Sequence, residues 1–247
     1  MATVKDIYNF IDKIAPFNTA EEWDNSGLLV GDENKEVNKI MFALDMTEDV
    51  ANQAINSGAD LIVTHHPLIF KPVSEVLSHS LIYKLIENKI SIICAHTNYD
   101  KAVDGVNDIL CQTVGFNKFS KIENTCLNVA ELESSTSTED FVNKIKNSLC
   151  GIIRYNNLTK SIKKVAVCSG SGSDYLSLAK DLECDALLTG DASHHAFLDA
   201  NEMGILLVAA GHFETENIAM QPLLERVEKE FNINCVLANQ NTPILTI

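Results

Sequence analysis

The stretches D-L-I-V-T-H-H (60–66) and D-A-L-L-T-G-D-A-S-H-H (185–195) decide the fold class of this chain. In each, an aspartate precedes a short apolar run, and a pair of histidines follows a few positions later. Short, continuous apolar runs are typical of strands that are buried on both faces of a parallel sheet. The two stretches therefore predict two buried strands, at 61–64 and 186–189, with polar side chains at their carboxyl ends.

The segments around these strands alternate between strand and helix patterns. Further strands are predicted at 40–44, 90–95, 165–168 and 205–210, and helices at 47–56, 80–87, 104–114, 195–201 and 216–230. This alternation predicts an α/β fold with mainly parallel sheets. Because I-S-I-I-C-A-H (90–96) also parallels I-L-L-V-A-A-G-H (205–212), we interpret the chain as two related α/β lobes. Chance similarity between buried strands is the alternative.

The chain length of 247 residues fits one large domain or two small ones. We predict a first lobe at 1–124 and a second lobe at 125–247, whose C-terminal segment can pack back on the first. The polar segment S-S-T-S-T-E-D (134–140) lies near this boundary and fits a linker, a loop or a helix cap.

The composition is acidic, with 19 Lys+Arg against 34 Asp+Glu and a formal net charge of −15. This charge opposes broad binding to nucleic acid or to an anionic membrane, so we expect neither as a partner. No C-x-x-C occurs among the 7 cysteines, which argues against a zinc ribbon and a redox motif. The odd number of cysteines without such a motif indicates a reducing cytosol, so we expect a cytoplasmic protein. No apolar run approaches the ~18 residues of a membrane helix.

Six of the seven histidines follow predicted strands. They are His65, His66, His96, His194, His195 and His212. In open α/β sheets, ligands bind beyond the carboxyl ends of the strands. Histidine is the commonest metal ligand in proteins, and carboxylates complete many divalent sites. The distribution of histidines therefore predicts a metal site.

The spacing of histidines and carboxylates suggests the ligands of this site. His212 and Glu216 are four residues apart, so a helix would place them on one face. His65 and His66 leave a strand together and can flank a site, while Asp100 supplies a carboxylate that can bridge two ions. This set offers nitrogen and oxygen without thiolate, which fits zinc, manganese or iron(II). For any single histidine, a hydrogen-bonded structural role is the alternative.

Two other features have less specific interpretations. Trp23 is the only tryptophan, and on its own it favours a position in the core. The loop C-S-G-S-G-S-D (168–174) lies between a predicted strand and a helix. Its amides could hold an anion, or the loop could simply be a tight turn, since it lacks both G-x-G-x-x-G and the lysine of a P-loop.

Several motifs, taken together and in order, resemble the Nif-three-like family. They are E-E-W-D-N-S-G-L-L-V-G, L-D-M-T, H-H-P, H-T-N-Y-D, T-G-D-A-S-H-H and G-H-F-E-T-E. The family includes YbgI-like proteins and is often described as GTP cyclohydrolase I type 2 homologues; this chain resembles its short form. The resemblance implies a two-lobed α/β fold, two divalent metal ions between the lobes of each subunit, and a toroidal homohexamer.

By motif, the resemblance assigns the metal ions to His65, His66, Asp100, His212 and Glu216. It places His96, His194 and His195 along the site, where we expect them to act on the substrate. Two positions depart from the family pattern, Tyr99 where leucine is common and Asp191 where glutamate is common. We expect these two changes to alter substrate preference rather than metal binding.

The leading functional expectation is a metal-dependent hydrolase of a nucleotide or related small molecule, GTP cyclohydrolase-like by the resemblance. A pair of ions can activate water and hold an oxygen on either side of a displacement. His96 or His194 can move protons, because imidazole titrates near neutral pH. The alternatives are a phosphatase or phosphodiesterase that uses the same ions, and a non-catalytic metal-binding regulatory or assembly protein.

Overall fold

The computed structural model describes residues 1–245, which form two compact units, each with its own β-sheet. The first unit contains Met1–Val103 and the chain from Ala219 onward, and the second contains Asp104–Ile218. The boundary therefore lies after Val103 and not after residue 124. The reason is that the helix at Val106–Thr113 packs on strands of the second sheet.

The helices and strands are numbered in chain order. The helices are α1 (Val4–Ile14), α2 (Glu48–Ser57), α3 (Leu81–Glu87), α4 (Thr97–Lys101), α5 (Val106–Thr113), α6 (Thr138–Leu149), α7 (Leu176–Asp181), α8 (His194–Met203), α9 (His212–Glu216) and α10 (Met220–Phe231). The strands are β1 (Gly27–Val30), β2 (Lys39–Ala43), β3 (Leu61–Thr64), β4 (Ser91–Cys94), β5 (Phe119–Lys121), β6 (Asn128–Ser137), β7 (Arg154–Tyr155), β8 (Ser161–Cys168), β9 (Ala186–Thr189), β10 (Leu206–Ala209) and β11 (Asn234–Leu237). The helix expected at 216–230 is instead α9, a short 3₁₀ helix at Asn217–Ala219, and α10.

The sheet of the first unit has the strand order β1-β4-β3-β2-β11. The adjacent strands β4, β3, β2 and β11 are parallel to one another, and β1 pairs antiparallel with β4. Every residue of β3 and β4 is buried, as expected for continuous apolar strands. In the last pair, Asn234 of β11 lies opposite Lys39 of β2, so the C-terminal segment does pack on the first unit.

The sheet of the second unit has the strand order β5-β6-β8-β9-β10-β7. The central strands β8, β9 and β10 are parallel, whereas β5, β6 and β7 join by antiparallel pairs. Two α/β lobes are thus confirmed, but this second sheet is mixed rather than mainly parallel. Strands β6 and β7 were not predicted because many of their residues are exposed, so they lack a continuous apolar run.

The polar segment 134–140 joins β6 to α6 inside the second unit and is not a linker between units. Ser137 is the N-cap of α6, and its side chain accepts a hydrogen bond from the backbone N–H of Asp140. Of the three expectations for this segment, the helix cap is the correct one.

The strands β3 and β9 are each preceded by an aspartate that accepts backbone hydrogen bonds. Asp60, just before β3, accepts the backbone N–H of Asn38 at 2.9 Å. Asp185, just before β9, accepts the backbone N–H groups of Lys163 and Lys164 at 2.9 and 3.0 Å. Burial opposes ionisation of both carboxyls, but these hydrogen bonds and a nearby lysine lower their pKa values. Each aspartate thus connects the start of its strand to the neighbouring strand segment by hydrogen bonds.

Helices α2 and α8 also begin and end alike. The hydroxyls of Thr47 and Ser193 cap their N-termini by accepting backbone N–H groups. Gly58 and Gly204 follow their last residues with φ of +69° and +68°, the left-handed conformation that glycine adopts at little cost. These shared features support the interpretation of two related lobes.

All seven cysteines are free thiols. Burial raises the pKa of Cys111 to about 12, and that of Cys94 well above its usual value. Neither side chain is therefore a reactive thiolate at neutral pH. Across residues 1–245, no helix combines the length and the apolar composition that crossing a bilayer requires.

Candidate metal centre

Three imidazoles of the first unit meet at the carboxyl ends of β3 and β4. His65 and His66 follow β3, and His96 follows β4. The ring centroids are 5.1 Å apart for His65–His66, 5.1 Å for His65–His96 and 5.5 Å for His66–His96. One nitrogen of each ring lies within 4.8 Å of the others, so the three could hold one metal ion.

A buried carboxylate lies beside this trio. Asp100, on α4, is 8% exposed, and its Oδ1 atom lies 3.6 Å from Nε2 of the fully buried His65 side chain. A carboxylate is rarely buried without a charged or hydrogen-bonding neighbour, because desolvation is costly. The structure thus places Asp100 beside His65, one of the two histidines with which we grouped it, and its role as a metal ligand stays a prediction.

Each imidazole of the trio is oriented through its Nδ1 atom. That atom lies 2.9 Å from the Ala95 carbonyl oxygen in His65, 2.7 Å from Asp45 Oδ1 in His66 and 2.8 Å from Asp24 Oδ1 in His96. These acceptors favour a proton on Nδ1, which puts the lone pair on Nε2. Metal-binding histidines in proteins are typically held in this way.

Asp24 is the most strongly held of these acceptors. Its side chain is fully buried and accepts hydrogen bonds from the Thr97 hydroxyl at 2.6 Å and the Ser26 hydroxyl at 2.9 Å, besides His96. Burial opposes its ionisation, but the bonds from His96, Thr97 and Ser26 outweigh burial and hold the pKa of Asp24 well below its usual range. Asp24 is therefore an ionised anchor for His96.

A second group of candidate ligands lies in the second unit. His212 and Glu216 are the first and last residues of α9, and His212 Nε2 lies 3.1 Å from Glu216 Oε2. The four-residue spacing thus places both side chains on one helical face, as predicted. On the other side of the ring, His212 Nδ1 lies 2.8 Å from Asp191 Oδ2. Asp191 therefore contacts a candidate ligand directly, and its effect on substrate preference stays a prediction.

The glycine loop at 168–174 makes room for Glu216. A Cβ atom at Gly170 would overlap the Oε1 atom of Glu216, and Gly170 has φ of +56°. The amide of Gly170 donates to the Thr215 hydroxyl, and that of Gly172 donates to the Thr189 hydroxyl. Because these amides already have partners, the structure favours the tight turn over the anion cradle.

His194 and His195 are the first two residues of α8, and both are exposed. Within residues 1–245, neither belongs to a group of three potential metal ligands. Their ring centroids are 6.0 Å apart. Their action on a substrate remains a prediction.

The sequence interpretation missed three residues of the site. Asp45 follows β2, so the rule applied to the other strand exits would have included it. Asp24 has no such signal, because it precedes β1 and reaches His96 only through the fold. Trp23 was expected in the core, but it is 59% exposed and its ring lies 6.0 Å from that of His96.

Comparison with known proteins identifies the family. A sequence model of the family described as Duf34/NIF3 (NGG1p interacting factor 3) matches residues 2–243. A GTP cyclohydrolase 1 type 2 homolog from Clostridium perfringens is 39% identical over 243 residues, which cover 93% of this chain and 92% of the relative. The GTP cyclohydrolase 1 type 2 of Helicobacter pylori (strain 26695) is 32% identical over 252 residues, with 100% of both chains covered.

Solved structures agree with the sequence match. A Staphylococcus aureus protein superposes with a TM-score of 0.92 at 29% identity and covers 100% of this chain and 99% of its own. Reduced HcgD from Methanocaldococcus jannaschii superposes with a TM-score of 0.84 at 30% identity, covering 96% of this chain and 97% of its own. The resemblance predicted from the motifs is confirmed: the chain belongs to the DUF34/NIF3 family.

Proposed function

We propose that this chain binds two divalent metal ions and uses them to hydrolyse a nucleotide or a related small molecule. The observation that carries the proposal is the trio His65, His66 and His96, each anchored through Nδ1 at a pair of strand ends. Structural histidines have no need to converge in this way, whereas the ligands of a metal site and the base beside them do. The names of the relatives, GTP cyclohydrolase 1 type 2 and its homologs, support a nucleotide as the substrate class.

The donor set fits divalent ions that accept nitrogen and oxygen. The proposed ligands are His65, His66 and Asp100 in the first unit and His212 and Glu216 in the second. Imidazole and carboxylate suit zinc, manganese and iron(II) alike.

When bound, divalent ions supply Lewis-acid activation of water and of a substrate oxygen. We assign proton transfer to His96, whose Nε2 atom can accept a proton while its Nδ1–H donates to Asp24. The ionised Asp24 stabilises the imidazolium that results, because the two charges are opposite and the carboxylate is buried. His194 and His195, exposed at the start of α8, are proposed to contact the substrate.

We also propose that the chain assembles as a homohexamer, which the family resemblance implies, and that it is located in the cytoplasm, which its cysteine content favours. Light scattering coupled to size exclusion tests the assembly directly. A mass six times that of one chain supports it, and a monomeric mass contradicts it.

The proposed activity is tested by a screen with the native metal. Protein purified without chelator is first analysed for bound metals. It is then incubated with nucleotides and phosphoesters in the presence of the metal found. Asp100→Asn should lower turnover by about 100-fold or more, since it removes a proposed ligand charge without changing side-chain size. Asp12→Asn, at an exposed position on α1, is the matched control and should retain activity.

The screen also separates the alternatives. Turnover of phosphoesters without ring opening of a nucleobase would indicate a phosphatase or phosphodiesterase. The family description names an interacting factor, which favours a non-catalytic protein with a protein partner as the second candidate. Absence of metal-dependent turnover on every compound, with metal bound, would support that candidate and contradict the hydrolase.

A further inference from the structure

Two large aromatic side chains lie exposed, side by side, in the first unit. Trp23 is 59% exposed and Phe70 is 49% exposed. Their ring centroids are 5.8 Å apart, and their planes are inclined by 51°. Apolar ring surface left in water is unfavourable, so an adjacent exposed pair of this size often marks a surface that binds something.

This aromatic pair is held in place by hydrogen bonds on both sides. The Asn25 side-chain amide donates to the carbonyl of Ile69, which joins the segments that carry Trp23 and Phe70. Asp24, the next residue after Trp23, is fixed by the hydroxyl and backbone N–H of Thr97. A ligand would therefore meet rings whose backbone is already ordered, and binding would lose little conformational entropy.

The aromatic pair also adjoins the candidate metal centre. The Trp23 ring centroid lies 6.0 Å from that of His96, in an edge-to-face arrangement. His96 in turn lies 5.1 Å from His65. A planar group stacked on the pair would thus lie next to the imidazoles to which we assign metal binding and proton transfer.

We infer that Trp23 and Phe70 bind the planar heteroaromatic ring of the substrate, a nucleobase, by stacking. The inference rests on the proposed function, which supplies a nucleotide as the substrate class. Stacking needs no positive charge, so it can bind a base despite the net charge of −15. The same charge disfavours a longer nucleic acid as the occupant, because each added phosphate is repelled.

The single tryptophan makes this inference directly measurable. Because Trp23 is the only indole in the chain, its fluorescence reports on this surface alone. Protein purified without chelator is titrated with guanosine, adenosine, cytidine and, as a probe without a ring system to stack, ribose 5-phosphate. We expect saturable quenching by the nucleosides and none by ribose 5-phosphate.

Variants locate the binding surface. Phe70→Leu keeps the tryptophan and should weaken nucleoside binding about tenfold, as loss of one stacking partner does. Tyr155→Leu removes a side chain that is equally exposed, in the second unit, and should leave binding unchanged. Calorimetry on Trp23→Leu, which needs no fluorescence, should show a similar loss. All three positions are about half exposed, so the variants should fold, and circular dichroism checks this.

Two results would overturn the inference. One is the absence of saturable quenching, or equal quenching by ribose 5-phosphate. The other is a change of oligomeric mass in Phe70→Leu without any nucleoside binding, which would make the pair a contact between protein chains. Failure of the proposed function is distinguishable: quenching without turnover contradicts only the hydrolase, whereas metal-dependent turnover of a phosphoester without quenching contradicts only the stacking site.

Discussion

Asp24 and His96 form a pair in which a fully buried carboxylate oxygen lies 2.8 Å from the imidazole Nδ1 atom. The two residues come from the turn before β1 and from the end of β4. The carboxylate is kept ionised by several donors, so it can hold His96 in one orientation and one tautomer. A charged acceptor behind an imidazole also makes the opposite nitrogen a better ligand and a better base.

Removing the charge of Asp24 should therefore slow the reaction without removing the metal. For Asp24→Asn we expect turnover to fall by about 100-fold, because His96 loses the carboxylate that orients it and stabilises its imidazolium. Steady-state kinetics on a substrate found in the screen measure turnover, and metal analysis checks that the ions are still bound. Glu22→Gln, an exposed neutralisation two residues away, is the control and should have no effect. Equal turnover for Asp24→Asn and the wild type would show that Asp24 has only a structural role.

Gly170→Ala should displace the Glu216 carboxylate, since the new Cβ atom would overlap Glu216 Oε1. Gly204→Ala is a closely matched control. Gly204 has φ of +68° against +56° for Gly170, but nothing lies within 4 Å of its added Cβ. Both variants should lose roughly 1 kcal/mol of unfolding free energy from backbone strain.

Only Gly170→Ala should also lose bound metal. Urea unfolding measures the loss of unfolding free energy that both variants should share, and metal analysis measures the loss of metal expected only for Gly170→Ala. If the two variants retained the same metal content, the proposed role of the glycine loop in accommodating Glu216 would be wrong.

The aspartates before β3 and β9 should make the free energy of unfolding depend on pH. In the folded chain, the pKa values of Asp60 and Asp185 are lower than in the unfolded chain. Their contribution is therefore present above the unfolded pKa of ~3.9 and is lost as pH falls through the folded pKa. Asp185→Asn should lower the unfolding free energy by roughly 1 kcal/mol at pH 7.

The same substitution should matter progressively less as pH falls below the unfolded pKa and through the lowered pKa of the folded chain, because the wild-type carboxyl becomes protonated too. Urea titrations at pH 7 and near pH 3 compare the two proteins. The difference in unfolding free energy between the wild type and Asp185→Asn should shrink on acidification. A difference that stayed constant or grew would contradict the role given to the Asp185 carboxylate. Asp199→Asn, at an exposed position on α8, serves as the control at both pH values.

Much of the fold was accessible from the sequence, because buried parallel strands have a continuous apolar pattern. The strands β3 and β9 were predicted at their observed limits. The partly exposed strands β6 and β7 have no such pattern, and they were missed. The boundary between the units also escaped prediction, since the placement of α5 depends on which sheet it packs against, a contact that local sequence does not encode.

The candidate site was predicted to a similar extent. Side chains at strand exits, such as His65 and His96, could be grouped because parallel strands end at one edge of a sheet. Asp24 could not, because nothing local links a residue in a turn to an imidazole 72 positions later. The exposure of Trp23 was equally inaccessible, since tryptophan side chains are highly buried on average.

Divalent metal is proposed to bind to five side chains, namely His65, His66, Asp100, His212 and Glu216, and the metal content of the folded chain is the measurement on which this proposal depends. Wild-type protein purified without chelator is analysed by inductively coupled plasma mass spectrometry, alongside His65→Ala and Glu216→Gln. The account predicts two divalent ions per wild-type chain and a loss of at least one ion in either variant. Fewer than one ion per folded wild-type chain, or full metal content in both variants, would contradict it.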